Sequence, residues 1–134
     1  MSFGHEKLDI YRTAIEYAAW AYRLCEQLAG HRNARDQLIR ASQAIPLNIA
    51  EGNGKATEGD RRRYFEIARG SALECAAEQD VLEVCGGILS TENVRGKEFL
   101  ARISHGLSTA AADPGMSTAL RSVGFLDVLS TPTG

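Results

Sequence analysis

The chain has 134 residues and a formal net charge of −2, and hydrophobic and charged residues make up 44% and 24% of it. This length predicts one domain with a sizeable core. No apolar run approaches the roughly 20 residues of a membrane-spanning helix, so we expect no membrane partner. Residues 1–12 lack the basic start and apolar core of a secretory signal.

Cysteine usage and charge narrow the class of protein further. Cys25, Cys75 and Cys85 lie within helical patterns, which predicts buried free thiols in a reducing, cytoplasmic compartment.

The pI of about 5.9 is atypical of a protein that coats nucleic acid. Residues 32–69 are rich in arginine, whereas residues 71–92 contain five acidic residues and no basic one. This asymmetry favours a preferred orientation in an assembly or toward a charged partner.

The first predicted helix spans residues 6–29 and stops before Gly30. It carries two neighbouring apolar stripes that together cover about 220° of its surface, more than a bundle helix needs. One stripe contains Leu8, Tyr11, Ile15, Ala18, Tyr22 and Cys25, and the other contains Ile10, Ala14, Tyr17, Ala21, Leu24 and Leu28. Trp20 is predicted at the centre of the opposite, polar face.

Three further helices follow. The second spans residues 33–51, with a core stripe of Leu38, Ala41, Ile45 and Ile49, and Pro46 predicts a kink in it. The third begins after Thr57, which forms a predicted capping box with Asp60. Its core stripe contains Phe65, Ala68, Ala72, Cys75, Gln79, Leu82 and Cys85. The fourth begins near Thr91, with a stripe of Leu100, Ile103, Leu107 and Ala111, and Asp113-Pro114-Gly115 ends it.

The pattern predicts an all-α, antiparallel up-down four-helix bundle with a kinked second helix, formed by residues 1–112. Gly70 and the abundant alanines are expected to let helices approach closely. Residues 113–134 form a C-terminal tail that is either irregular or contains a short helix near residues 118–122.

A polar cluster is predicted between the second and third helices. Asn48 lies at the edge of the core stripe, and we expect its amide to bond local backbone near Pro46 or the third helix. Glu51, Arg69, Ser71 and Glu74 extend the cluster. We favour a structural lock that fixes helix register. A ligand or catalytic pocket is the alternative, although no nucleophile lies beside a base.

Catalytic and metal-binding patterns are missing from the sequence. His5, His31 and His105 are scattered, and neither the Glu-x-x-His pairs of di-iron bundles nor a Cys-x-x-Cys zinc spacing occurs. We therefore predict no enzymatic activity, no cofactor, no metal and no small-molecule substrate.

Apolar residues outside the core stripes predict an interface. Trp20 lies on the first helix, and the second helix contributes Ile39, Pro46, Leu47 and Ala50. Such patches, above all with a tryptophan, are typical of protein interfaces, so we predict a homo-oligomer with closed symmetry. The alternative is that Phe125 and Leu126 cover Trp20 within one chain.

A basic cluster raises nucleic-acid binding as a second hypothesis. It contains Lys55, Arg61, Arg62 and Arg63. Consecutive arginines spread over about 200° of a helix, and Arg62 can pair with Glu66, so a solvated face is the favoured interpretation. Repetition of the cluster around an oligomer would strengthen weak contacts to RNA or DNA.

Two motifs carry a resemblance to a known family. The run AIPLNIAEG at 44–52 and the run YFEIARGSALE at 64–74 resemble the four-helix-bundle family that includes proteins encoded in intervening sequences of 23S rRNA genes. The matching positions are Ile45, Pro46, Asn48, Ile49, Ala50, Glu51 and Gly52, and then Ala68, Gly70, Ser71 and Glu74. The resemblance covers roughly residues 3–110, while Ala44 and the tail depart from it.

The resemblance implies a four-helix bundle that assembles as a homopentamer. Members of one branch of the family are accessory proteins of diversity-generating retroelements. The resemblance to that branch implies a protein that binds nucleic acid and a reverse transcriptase. We therefore expect a non-enzymatic, homo-oligomeric helical scaffold. The alternative is a nucleic-acid-binding accessory protein that acts with a reverse transcriptase or structured RNA.

Overall fold

A computed structural model of the chain describes the backbone of residues 5–111 and the side chains of residues 9–110. The described residues contain four helices and no strand: α1 (His5–Glu26), α2 (Arg32–Asn53), α3 (Glu58–Val84) and α4 (Ser90–Ala111). Short turns connect helices that pack side by side, and α4 packs against both α3 and α1. The predicted antiparallel four-helix bundle is confirmed. The predicted tail, residues 113–134, lies outside the described residues.

Local hydrogen bonds set the helix ends. α1 ends at Glu26, three residues earlier than predicted, because the N–H of Leu28 donates a hydrogen bond to the Cys25 carbonyl at 3.1 Å. Arg35 then donates to the Leu28 carbonyl at 3.1 Å. α3 begins where predicted, and the Thr57 hydroxyl accepts from the backbone N–H of Asp60 at 3.2 Å.

The core is built from one face of each helix. On α1, the stripe from Ile10 to Leu28 is the buried one. The predicted stripes of α2 and α3 are confirmed, as are Leu100, Ile103 and Leu107 of α4. Cys85 is the exception on α3, because the helix ends at Val84 and Cys85 enters the exposed turn. The prediction of three buried thiols is therefore wrong for Cys85 and confirmed for Cys25 and Cys75.

Three glycines allow close contact between helices, and none of them is Gly70. A Cβ on Gly52 would lie 2.7 Å from the Phe65 ring, a Cβ on Gly106 would lie 2.5 Å from Ile10 Cγ1, and a Cβ on Gly96 would collide with the Gln79 amide. Gly70 is exposed, with nothing within 4 Å of the place where its Cβ would be. Close approach at Gly70 within the bundle was therefore a wrong prediction. Helix α2 continues through Pro46, and the kink there stays a prediction.

Candidate interaction surfaces

Trp20 lies against helix α4 rather than in open solvent. Its ring centroid is 5.7 Å from that of Tyr17 and 6.2 Å from that of Phe99, and the indole is half-buried. The sequence placed Trp20 in the centre of a polar face, but Phe99 of α4 covers part of it. Phe125 and Leu126, the alternative cover, lie outside the described residues.

Two arginines flank the Phe99 ring on the outside of α4. The guanidinium carbons of Arg95 and Arg102 lie 5.7 and 5.5 Å from the ring centroid. These residues and Glu98 line a shallow pocket of about 140 Å³. We call Arg95, Phe99, Arg102 and the neighbouring Trp20 the α4 patch. Sequence inspection missed it, although arginines seven apart around a phenylalanine place all three residues on one helical face.

Helix α2 exposes part of the predicted interface. Leu47 is 65% exposed, and with Ala50 and Glu51 it lines a shallow pocket of about 280 Å³ on the outer side of the helix. Ile39 is half-buried against the core. Pro46 is buried, so its expected place on the exposed surface is corrected. The structure thus separates Leu47 and Ala50 from Trp20, which faces α4.

Helix α1 exposes a second apolar surface. Ile15 and Tyr22 are 43% and 52% exposed, and Tyr11 of the same stripe is half-buried. Tyr11 and Trp20 are nine residues apart, which puts them on opposite sides of the helix at about 100° per residue. Because Trp20 faces α4, this stripe lies on the side of α1 away from α4.

The outer side of α3 is also apolar, which the sequence-based interpretation missed. Leu73, Ala77 and Val81 are exposed and spaced four residues apart, so they form one line along the helix. We call them the α3 stripe. Glu74 and Glu78 run beside it, and burial and then the Glu74 charge raise the pKa of Glu78. The four-residue spacing of these side chains could have predicted the stripe, but only the core stripe of α3 was recognised in the sequence.

The predicted basic cluster is partly neutralised. Lys55 lies 3.6 Å from the Glu51 carboxylate, and Arg61 lies 2.6 Å from that of Glu58. Glu66, the expected partner of Arg62, accepts from Arg69 at 3.0 Å. Lys55 and Arg63 also approach the Tyr64 ring, and lie 5.1 and 5.7 Å from its centroid.

The residues of the predicted polar cluster do not form one group, because they contact different partners. Asn48 donates to the Ala44 carbonyl at 2.8 Å, so of the two expected arrangements it makes the local backbone contact. Glu74 lies 3.5 Å from Arg40 of α2, and Glu51 pairs with Lys55. Arg69 is buried beside Glu66, and Ser71 is half-buried. Of these contacts, the one between Arg40 and Glu74 joins α2 to α3, and the others are local to one helix or its end.

A larger buried polar network lies between α1, α3 and α4. Tyr17 donates to Gln79 Oε1 at 2.5 Å, and Gln79 Nε2 donates to Asn93 Oδ1 at 2.9 Å. Asn93 then donates to Asp80 at 2.9 Å, and Asp80 lies 2.6 Å from the buried Lys97 ammonium. Gln79 in an otherwise apolar stripe was the sequence signal for this network. Because its polar atoms satisfy one another, the network fixes helix register.

The two buried thiols are held in their protonated form. Burial raises the pKa of Cys25 to about 11 and that of Cys75 to about 12, so both stay protonated at neutral pH. Within residues 9–110, His, Cys, Asp and Glu side chains form no group of three that fits a metal ion. Among the described helices, none has the length and apolar character needed to cross a membrane.

Comparison with known protein families matches most of the chain to one of them. The sequence profile of the family described as 23S rRNA-intervening sequence protein matches residues 6–109, which include nearly all of the four helices. A search among curated proteins gives no match to the sequence. The two motifs meet in the structure, where Gly52 of the first lies against Phe65 of the second. The chain therefore belongs to the 23S rRNA-intervening sequence protein family.

Proposed function

We propose that this protein is a non-enzymatic helical scaffold that assembles with copies of itself. The observation that carries the proposal is Leu47, a leucine that is 65% exposed on the outer side of a helix whose other large aliphatic side chains are buried or half-buried. Covering a leucine side chain contributes about 1.5–3 kcal/mol. The exposed Ile15 and Tyr22 and the α3 stripe add further surface of the same kind.

Five copies is the number we propose, by resemblance to characterised relatives of the family. A closed ring hides apolar surface on every copy, whereas an open chain would leave it exposed at each end. The absence of a nucleophile with an adjacent base in the described surfaces supports a scaffold rather than an enzyme.

Light scattering on the full chain at micromolar concentration tests this proposal. The wild type is expected well above the mass of the 14.5 kDa monomer. Leu47→Asp and Trp20→Ala are expected to shift the mass toward the monomer. Thr109→Asp adds the same charge as Leu47→Asp at an exposed site on α4 and serves as the control. A monomeric wild type contradicts the proposal, and unchanged mass in both variants contradicts these interface residues.

Nucleic-acid binding is the second candidate function, because Lys55 and Arg63 both approach the Tyr64 ring. An aromatic ring beside cations is typical of surfaces on which single-stranded bases stack. By resemblance to one branch of the family, a reverse transcriptase or structured RNA would be the partner.

A binding titration with single-stranded RNA and DNA at several salt concentrations tests this candidate. The affinity is expected to fall steeply with salt, and Arg61→Gln/Arg62→Gln/Arg63→Gln is expected to weaken it at least tenfold. Arg12→Gln, an exposed arginine on α1, is the control. Failure of the wild type to bind either nucleic acid at low salt rules the candidate out.

A further inference from the structure

The α4 patch has the composition of a protein-binding surface with a positive rim. Arg95 and Arg102 stack on Phe99, and within the described part of the chain neither guanidinium lies within ion-pair distance of a carboxylate. Arginine and aromatic residues are enriched at the centres of protein interfaces. The patch therefore fits a partner that presents apolar side chains beside carboxylates.

The α3 stripe offers that chemistry on the same molecule. Leu73, Ala77 and Val81 form the apolar line, with Glu74 and Glu78 along its edge. No basic residue occurs between residues 71 and 92. Glu74 already lies 3.5 Å from Arg40, whereas Glu78 has no ion pair among the described residues. A cation placed beside Glu78 would offset the repulsion between the two carboxylates.

The two surfaces lie on different sides of the bundle. Trp20 of α1 contacts Phe99, so the α4 patch faces the side shared by α1 and α4. Glu74 contacts Arg40 of α2, so the acidic edge of the α3 stripe faces the side shared by α2 and α3. These sides are opposite each other, because the helices pack in the cyclic order α1, α2, α3, α4. Two complementary surfaces on opposite sides cannot meet within one chain.

We infer that the α4 patch of one copy docks on the α3 stripe of the next copy, in a head-to-tail contact. This inference rests on the proposed self-assembly and specifies its geometry. Phe99 and Trp20 would cover Leu73, Ala77 and Val81, while the arginines pair with Glu74 and Glu78. Arg95 and Arg102 are about 10 Å apart along the helix and the glutamates about 6 Å, a difference that long arginine side chains span. A repeated head-to-tail contact closes into a ring when its rotation allows.

Reciprocal charge reversal in the full chain tests the contact. Light scattering at micromolar concentration is applied to Arg95→Glu/Arg102→Glu and to Glu74→Arg/Glu78→Arg. Each double variant is expected to shift to the monomer mass, whereas the variant with all four changes recovers the wild-type mass. An equimolar mixture of the two double variants is also expected to reassociate. Arg12→Glu/Arg32→Glu makes the same charge change at exposed positions outside the α4 patch and should keep the wild-type mass.

The outcomes separate this inference from the proposed function. A monomeric wild type overturns self-assembly and, with it, this contact. A wild type that assembles while both double variants keep its mass overturns the head-to-tail contact alone, as does a fourfold variant that stays monomeric while folded by circular dichroism. Loss of RNA binding in Arg95→Glu/Arg102→Glu without a change in mass also overturns it, since the patch would then face nucleic acid. If reversal unfolds the chain, Arg95→Gln/Arg102→Gln must raise the dissociation constant at least tenfold.

Discussion

The hydroxyl of Tyr17 on α1 donates a 2.5 Å hydrogen bond to the side-chain carbonyl of Gln79 on α3, across the centre of the bundle. Both side chains are fully buried. Gln79 in turn donates a hydrogen bond to Asn93 on α4, so a continuous series of hydrogen bonds joins three helices. A helix displaced by one turn would lose these partners and leave buried polar atoms unpaired.

Replacement of Tyr17 by phenylalanine is expected to destabilise the fold by about 1–3 kcal/mol, because the buried Gln79 oxygen loses its donor. Urea denaturation followed by circular dichroism measures the change. Tyr22→Phe removes a hydroxyl from a half-exposed ring on the same helix and is expected to change stability by less than about 0.5 kcal/mol. Equal effects of the two substitutions would show that the Tyr17 hydroxyl contributes nothing specific.

Two glycines that match the family motifs are expected to respond in opposite directions to alanine. Gly52→Ala places a Cβ 2.7 Å from the Phe65 ring and is expected to destabilise the bundle by about 1–3 kcal/mol. Gly70→Ala meets open space inside a helix and is expected to stabilise it by about 0.5–1 kcal/mol. Thermal unfolding of both variants checks the signs. Destabilisation by Gly70→Ala together with loss of mass would place Gly70 in a contact between copies.

The ion pair of Lys97 and Asp80 is expected to contribute more than the pair of Arg40 and Glu74. The Lys97 side chain is 8% exposed and its ammonium lies 2.6 Å from Asp80, whereas the side chains of Arg40 and Glu74 are 69% and 44% exposed. Asp80→Asn leaves a buried cation without its carboxylate, so we expect a loss of about 3 kcal/mol. Glu74→Gln is expected to cost about 0.2–1 kcal/mol. A double-mutant cycle on each pair measures the coupling, and equal coupling energies would contradict the expectation.

Stability is expected to fall at alkaline pH because of the buried thiols. Burial raises the pKa of Cys25 from 9.0 to about 11 and that of Cys75 to about 12. Unfolded thiols lose their protons near pH 9 while the folded ones keep theirs, so the unfolded state binds fewer protons above that pH. The free energy of unfolding therefore decreases as the pH rises from about 9 toward 12, and is unaffected by these groups below 9.

Urea midpoints at pH 8–11 test this dependence. Cys75→Ala is expected to show a shallower decrease than the wild type, whereas Cys85→Ala keeps the wild-type slope because that thiol is exposed. A Cys75→Ala decrease as steep as that of the wild type would assign the alkaline loss to other groups, such as Tyr17, whose pKa is also raised by burial.

Helical spacing predicted much of the fold from local information. The stripes of α2 and α3 and the cap at Thr57 depend on residues three or four apart, and the structure confirms them apart from Cys85. The end of α1 was misplaced by three residues, because the N–H of Leu28 donates to the Cys25 carbonyl and Arg35 of the next helix binds the Leu28 carbonyl. Periodicity contains no information about such a contact.

The candidate surfaces were predicted less well. Leu47 and Ala50 are exposed as predicted from their wheel positions, but Pro46 is buried and Trp20 lies against Phe99. A helical wheel assigns each residue a direction, and it does not say which neighbouring helix occupies that direction. The spacing of the α4 patch and of the α3 stripe was present in the sequence, but whether those faces stay exposed depends on how four helices share their contacts.

The sequence by itself determined four amphipathic helices, the turns between them and the family to which they belong, because these follow from spacing within one segment and from two short motifs. Only the tertiary structure decided which apolar residues of α1 enter the core and which polar residues pair across it. Gln79 can bind Tyr17 and Asn93 only after three helices have packed together, since hydrogen bonds between distant residues depend on positions in space and not on separation along the chain.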